Sequence, residues 1–194
     1  MLRARDNPFA TERVLRLRYQ FRNATNDGWP ALLTRLKSMH YRAAIAGPHG
    51  SGKTTLLEDL GQQLQEQGFQ LHSIFLNEQD RTYPIEFVRR VRGGLTQNDI
   101  ILFDGCERLG PLNWRRFRWQ TRHAGGLIIT THRPGRLPLL RRCETDPELL
   151  DDLVRRLWGN GVLPARTDIR RLYEAHCGNL REALRELYDK VADS

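Results

Sequence analysis

Apolar residues in this chain follow two rhythms. Short apolar runs recur at Ala43-Ala44-Ile45-Ala46, from Phe69 to Leu76, at Ile100-Ile101-Leu102-Phe103, at Leu127-Ile128-Ile129 and from Leu137 to Cys143. Runs of that length bounded by turn residues read as strands. Between them lie stretches with helical spacing. Trp29, Leu32, Leu33 and Leu36 fall at i, i+3, i+4 and i+7, with Pro30 in the first turn. Leu56, Leu57, Leu60 and Leu64 repeat the pattern and Gly68 closes it. A helix is expected from Pro111 to about Arg122, and a short one over 85–91 before Gly93-Gly94. Strands alternating with helices predict an α/β core over 41–145.

After that the strand rhythm stops. Asp146-Pro147-Glu148 reads as an N-cap, a proline at N1 and a first-turn acid. Leu149, Leu150, Leu153, Leu157 and Trp158 follow at helical spacing. A second helix is expected from Thr167-Asp168 through Ile169, Leu172, Tyr173 and His176, stopped by Gly178. Asn179 caps a third, with its stripe at Leu180, Ala183, Leu184, Leu187, Tyr188 and Val191. Residues 146–194 thus predict a small three-helix unit. Residues 1–40 are a leading segment. It holds a turn at Asn7-Pro8-Phe9 with an exposed aromatic, a turn at Asn26-Asp27-Gly28, and an apolar stretch (Val14, Leu15, Leu17, Tyr19, Phe21) that suits an edge strand or a poorly capped helix.

At 194 residues, 39% of them hydrophobic, the chain suits one α/β domain with a small appendage. Mean hydropathy is −0.60. No apolar run approaches a membrane span and Met1-Leu2-Arg3-Ala4-Arg5 leads into no signal-peptide core, so a cytoplasmic location is expected. Cys106, Cys143 and Cys177 lie far apart without metal spacing and read as reduced thiols. Formal net charge is +8, and only three of the 31 basic residues are lysines, leaving 28 arginines. Such a field attracts polyanions. Nucleic-acid contact and an ordinary solvated basic surface both fit it.

The candidate chemistry centres on Gly47-Pro48-His49-Gly50-Ser51-Gly52-Lys53-Thr54, a complete G-x-x-x-x-G-K-[ST] loop with Thr55 following. It stands between an expected strand and an expected helix, the context the motif requires. Its glycines let successive N–H groups turn inward on a phosphate, and the helix N-terminus adds partial positive charge. Lys53 is the expected cation for the β- and γ-phosphates, and the Thr54 hydroxyl the expected Mg²⁺ ligand. Fifty residues on, Ile100 to Phe103 ends in Asp104, a Walker B pattern. That carboxylate would sit at a strand's C-terminal end, where open α/β sheets bind ligands, and would hold Mg²⁺ through water. In the Pro111 helix, Trp114, Phe117 and Trp119 alternate with Arg115, Arg116 and Arg118. Either these aromatics would stack on bases, or Trp114 and Phe117 would bury against the sheet with His123, leaving the arginines in water.

Taken together, the loop Gly47–Thr54, Asp104, the polar end of strand four and the final helices with Gly178-Asn179-Leu180-Arg181-Glu182-Ala183 resemble an AAA+ ATPase over nearly the whole chain. The resemblance implies a three-layer α/β/α P-loop NTPase fold with sheet order 5-1-4-3-2 and a C-terminal helical lid. It implies that Thr131 or His132 acts as sensor 1 and Arg181 as sensor 2, both reading the γ-phosphate so that hydrolysis moves the lid. Asn7-Pro8-Phe9 is similar to the adenine-side N-terminal segment of secretion- and transposition-type members. The family acts as rings or filaments with an arginine finger between subunits. Arg133, Arg136, Arg141 and Arg142 lie in that region, and the sequence does not choose among them.

One departure stands out. The family places a catalytic glutamate directly after the Walker B aspartate, and here that residue is Gly105. The nearest acid is Glu107, which would orient the attacking water if the chain turns tightly at Gly105, or would cap the Pro111 helix or pair with an arginine. The expected activity is Mg²⁺-dependent ATP hydrolysis coupled to lid motion and to a protein or DNA partner, with a homo-oligomer implied by the resemblance. A nucleotide-dependent switch or nucleic-acid-binding module with little hydrolysis is the alternative. A small-molecule kinase fits less well, because the connection at Arg133 to Arg136 is too short for a substrate-closing segment. No Leu-Ser-Gly-Gly-Gln signature supports an ABC-type ATPase.

Overall fold

A computed structural model describes residues 7–15, 17, 28–77, 79–80, 82–84, 87, 89, 93–158 and 166–192. The stretch through Tyr19 and Phe21 and the turn at Asn26-Asp27 lie outside these residues. Of the helix expected over 85–91, only Phe87 and Arg89 are described, both helical.

The chain divides into two units by the contacts each makes within itself. One runs to Gly47 from residue 19 and resumes over Lys53–Arg142. The other gathers the residues before 19, the loop tip Pro48–Gly52 and everything from Cys143 onward.

The first unit holds a parallel sheet of five strands: β1 (Arg42–Ala46), β2 (Gln70–Phe75), β3 (Asp99–Asp104), β4 (Gly126–Thr131) and β5 (Leu139–Arg142). Their spatial order is β2-β3-β4-β1-β5, the expected 5-1-4-3-2. Burial follows from position in that order. The inner strands β3 and β4 are buried almost throughout, and β1 from its second residue, because helices cover both faces. The edge strand β2 alternates instead: His72 and Ile74 point inward while Phe75 stands 63% exposed.

Helix α2 (Gly28–Ser38) leads into β1, and α3 (Lys53–Glu66) follows the phosphate-loop motif. On α3, Leu56, Leu57, Leu60 and Leu64 are buried. Gly61 lets α3 come close to β3, since a Cβ there would lie 2.7 Å from Leu102 Cδ1. Helix α4 (Pro111–Gln120) packs on the opposite face, where Trp114 and Phe117 join Ile101, Phe103, Leu127 and Ile129. Side chains alternate across a strand, so Leu102 and its neighbours Ile101 and Phe103 serve opposite helices. This is a three-layer α/β/α arrangement.

In the second unit, α1 (Thr11–Leu15), α5 (Pro147–Trp158), α6 (Arg166–Ala175) and α7 (Leu180–Ala192) share one core of Leu150, Val154, Leu157, Ile169, Leu172, Leu184 and Leu187, among others. The Asp146 carboxylate accepts the Leu149 N–H at 2.6 Å, the expected cap. Tyr173 Oη donates to Thr145 O at 2.7 Å, tying α6 to the segment before α5. Phe9 corrects an expectation. It is 3% exposed rather than open to solvent, packed 5.4 Å from the Trp158 ring, while Asn7 Nδ2 donates to Tyr188 O at 2.9 Å. A lone aromatic beside proline looks solvent-facing in sequence; the helical unit supplies the apolar surface it covers.

Candidate functional site

The parallel register brings the C-terminal ends of β1, β3 and β4 level. Ala46 pairs with Thr131, and Phe103 with Ile129, so Asp104 comes beside Thr130. The phosphate loop leaves from that edge, where Gly47 N donates to Thr131 O at 3.1 Å. Ser51 Oγ donates to Pro48 O at 2.8 Å, closing the loop on itself. Pro48 and His49 are exposed, Gly50, Gly52, Thr54 and Thr55 partly so, and Gly47, Ser51 and Lys53 buried. Gly50 has φ +68°, and a Cβ there would meet Asn179 Oδ1 at 2.1 Å, so that position favours glycine. Helix α3 starts at Lys53 with no acid in its first turn, which keeps its N-terminus favourable to an anion.

Thr54 Oγ1 donates to Asp104 Oδ2 at 2.8 Å. The other carboxylate oxygen accepts a hydrogen bond from Thr130 Oγ1. The Gly105 N–H donates in turn to Thr130 Oγ1 at 3.0 Å. Thr130, 1% exposed, is therefore the strand-four hydroxyl that touches the Asp104 carboxylate. It is not among the expected site residues. The signal available in sequence was the first of two hydroxyls that end the apolar run Leu127-Ile128-Ile129. Thr131, by contrast, turns its hydroxyl onto Arg133 O at 2.9 Å.

Beyond Asp104 the chain turns sharply. Gly105 has φ +77°, and a Cβ there would lie 2.5 Å from Leu76 O. No side chain fits that position on this backbone, so an acid directly after Asp104 is excluded sterically. The turn Cys106–Arg108 then carries Glu107 to His132, whose Nε2 lies 2.8 Å from Glu107 Oε1. Both side chains keep about a quarter of their surface open, 25% for Glu107 and 29% for His132. Glu107 Oε2 is buried and has no hydrogen-bond partner among the described residues. Arg136 fixes the turn from behind. Its guanidinium donates to Cys106 O at 2.8 Å and Leu109 O at 2.6 Å, and lies 5.0 Å from the Trp114 ring centroid. Burial pushes the Cys106 thiol up to about 12, so it stays protonated and unreactive.

Of the other arginines, Arg133 and Arg142 are exposed and Arg141 is half-buried. Arg181 is the exposed second residue of α7 in the helical unit.

These residues suit a magnesium nucleotide. Thr54 and Asp104 present two hard oxygens side by side, and no described group of three His, Cys, Asp or Glu could hold a metal by itself. A small divalent cation bound through one carboxylate takes its remaining ligands from water and substrate phosphates. The start of α3, free of acids in its first turn, offers those phosphates a favourable helix N-terminus.

No protein-family model matches this sequence, and no curated protein is significantly similar to it. Solved structures do match. A single-substitution variant of RuvB from Thermotoga maritima superposes with a TM-score of 0.55 at 20% identity, covering 84% of this chain and 60% of that one. A second RuvB variant gives 0.54 at 18% identity, covering 86% and 62%. The Drosophila ORC bound to DNA gives 0.56 at 13% identity, covering 95% and 62%. The chain thus spans about three fifths of the length of the structures it matches. With the phosphate loop, Asp104 and the 5-1-4-3-2 sheet in place, this likeness establishes that the chain has the AAA+ P-loop ATPase fold.

Proposed function

We propose that this chain binds Mg²⁺–ATP and hydrolyses it, coupling turnover to movement of its C-terminal helices and to a protein or DNA partner. The observation that carries this reading is the Thr54–Asp104 hydrogen bond, which joins the end of the phosphate loop to the end of β3. In this reading the amides from Gly47 to Thr55 cradle the phosphates and Lys53 neutralises the β- and γ-oxygens. Thr54 and Asp104 hold the cation, and Thr130 keeps Asp104 oriented. Magnesium, when bound, would supply neutralisation of the phosphate charge. Glu107 is the group that accepts the proton of the attacking water, its carboxylate held against His132 through Oε1. Arg136 keeps that carboxylate in place by pinning the carbonyls of its turn. Thr131 and His132 remain candidates for reading the γ-phosphate from β4, and Arg181 from α7.

The expected homo-oligomer and its arginine finger belong to the same reading. Arg133 and Arg142, both exposed, are the stronger finger candidates, since Arg136 is engaged on main-chain carbonyls.

A nucleotide switch with little hydrolysis is the second reading. The Glu107–His132 contact favours it, because an oxygen already engaged by His132 must leave that partner before it can reach a water. Hydrolysis and nucleotide binding by wild type, Lys53→Ala and Glu107→Gln, with and without duplex DNA, separate the two. Turnover lost in Glu107→Gln with binding retained supports an ATPase. Binding without turnover in wild type under every condition supports the switch. Failure of wild type to bind ATP would sink both.

A further inference from the structure

The outward face of α4 carries charge and aromatic surface that the nucleotide reading leaves unused. Leu112, Arg115, Arg116 and Trp119 fall at i, i+3, i+4 and i+7, so they form one stripe, while Trp114 and Phe117 bury on the opposite side. Leu112 is 80% exposed and Trp119 64%. Arg122 lies just past the helix with its guanidinium 4.4 Å from the Trp119 ring centroid, held there by a 3.0 Å hydrogen bond from Nη1 to Trp119 O. Arg115, Arg118 and Trp119 line a shallow surface pocket.

Among the described residues this surface is basic without compensation. From residue 108 to 143 the sequence has nine arginines and no aspartate or glutamate. Among the described residues no carboxylate forms an ion pair with Arg115, Arg116, Arg118 or Arg122. Arg42 adds a further guanidinium, donating to Ala124 O at 2.7 Å; burial and then the nearby Arg118 push its proton affinity down. Unpaired like charges this close are relieved by an anion. An indole left in water among them is relieved by a flat apolar partner. A nucleic acid strand offers both, and only an unpaired base exposes the face on which Trp119 can stack.

We propose that the face of α4 formed by Arg115, Arg118, Trp119 and Arg122 binds single-stranded nucleic acid, with the guanidinia on phosphates and the Trp119 indole on an unpaired base. This binding is independent of the nucleotide at the phosphate loop.

The test is fluorescence anisotropy of a labelled oligothymidine of about 16 nucleotides, titrated with the full chain at several salt concentrations without ATP. Oligothymidine is expected to bind more tightly than a duplex of the same length. Trp119→Ala should weaken binding about tenfold or more with the salt slope unchanged, and Trp119→Phe should recover part of the loss. Arg115→Ala and Arg118→Ala should each flatten the slope of log K against log salt by about 0.7. Arg185→Ala removes an exposed arginine of α7 and should do neither. Far-ultraviolet circular dichroism verifies that each variant is folded. Lys53→Ala should retain oligothymidine binding, so the nucleotide reading and this one fail separately. Equal binding by wild type and folded Trp119→Ala overturns the proposal. So does equal loss in Arg185→Ala and Arg115→Ala, and so does Trp119-dependent binding of polyglutamate or phosphatidylserine vesicles in place of oligothymidine.

Discussion

His132 Nε2 lies 2.8 Å from Glu107 Oε1, across the turn that Gly105 opens. The histidine just past β4 and the displaced acid are therefore one unit, although they lie 25 positions apart in the chain. Glu107→Gln should keep nucleotide affinity and lower kcat by about 10²–10⁴, the usual contribution of a positioned base. His132→Ala should lower kcat less, because it removes the partner and leaves the carboxylate. Steady-state hydrolysis, with nucleotide binding measured in parallel, checks both. Wild-type kcat in Glu107→Gln would place the base elsewhere.

Restoring an acid directly after Asp104 should not help. Gly105→Glu forces a side chain into φ +77° and into Leu76 O. The cost is about 2 kcal/mol or more, from backbone strain together with the clash. A chain of this size should then melt about 4–8 °C lower. A thermal melt of Gly105→Ala and Gly105→Glu beside wild type decides it, and unchanged melting would show that the turn can rearrange.

Divalent cation should be required for turnover through one threonine and one aspartate. Thr54→Ala removes the hydroxyl that donates to Asp104. Its Mg²⁺ requirement should rise well above that of wild type, while chelation with EDTA stops hydrolysis in both. Titrating Mg²⁺ at fixed ATP reads the difference. Identical Mg²⁺ curves for the two proteins would remove Thr54 from the cation site.

An acid-sensitive clasp lies at the opposite end of β3. Asp99, buried with His72 at 2.5 Å, also accepts the Thr96 amide at 2.7 Å and the Thr96 hydroxyl at 2.6 Å. Burial alone would raise its carboxyl. The hydrogen bonds from His72 and Thr96 outweigh that and hold it below the usual carboxylate value. Because the folded value is the lower one, the unfolded chain binds the proton more readily. Asp99 thus contributes stability that is fully present above the ordinary value of about 4 and is lost as pH falls through the folded value. Urea midpoints between pH 3 and 7 should fall toward acid more steeply in wild type than in Asp99→Asn. Parallel curves would show that other carboxylates set the acid limit.

How much was legible in sequence depended on the range of the interaction. The G-x-x-x-x-G-K-[ST] spacing, the apolar run ending at Asp104 and the stripe Leu180 to Val191 are local patterns. Strand, loop and helix geometry fixes what they mean wherever they occur. They determined the fold class, the sheet order that the resemblance implies, and Lys53, Thr54 and Asp104 as the candidate site. Other features required neighbours that are remote in the chain. Thr130 meets Asp104 because β3 and β4 pair in one particular register, and a shift of one residue would have presented Thr131 instead. Gly105 is obligatory because Leu76 O closes over it. Phe9 is buried because α5 brings Trp158 to it. Trp119 is left in water because α4 spends its buried face on Trp114 and Phe117. Periodicity gives which residues share a face; only packing decides which face is covered, and by what.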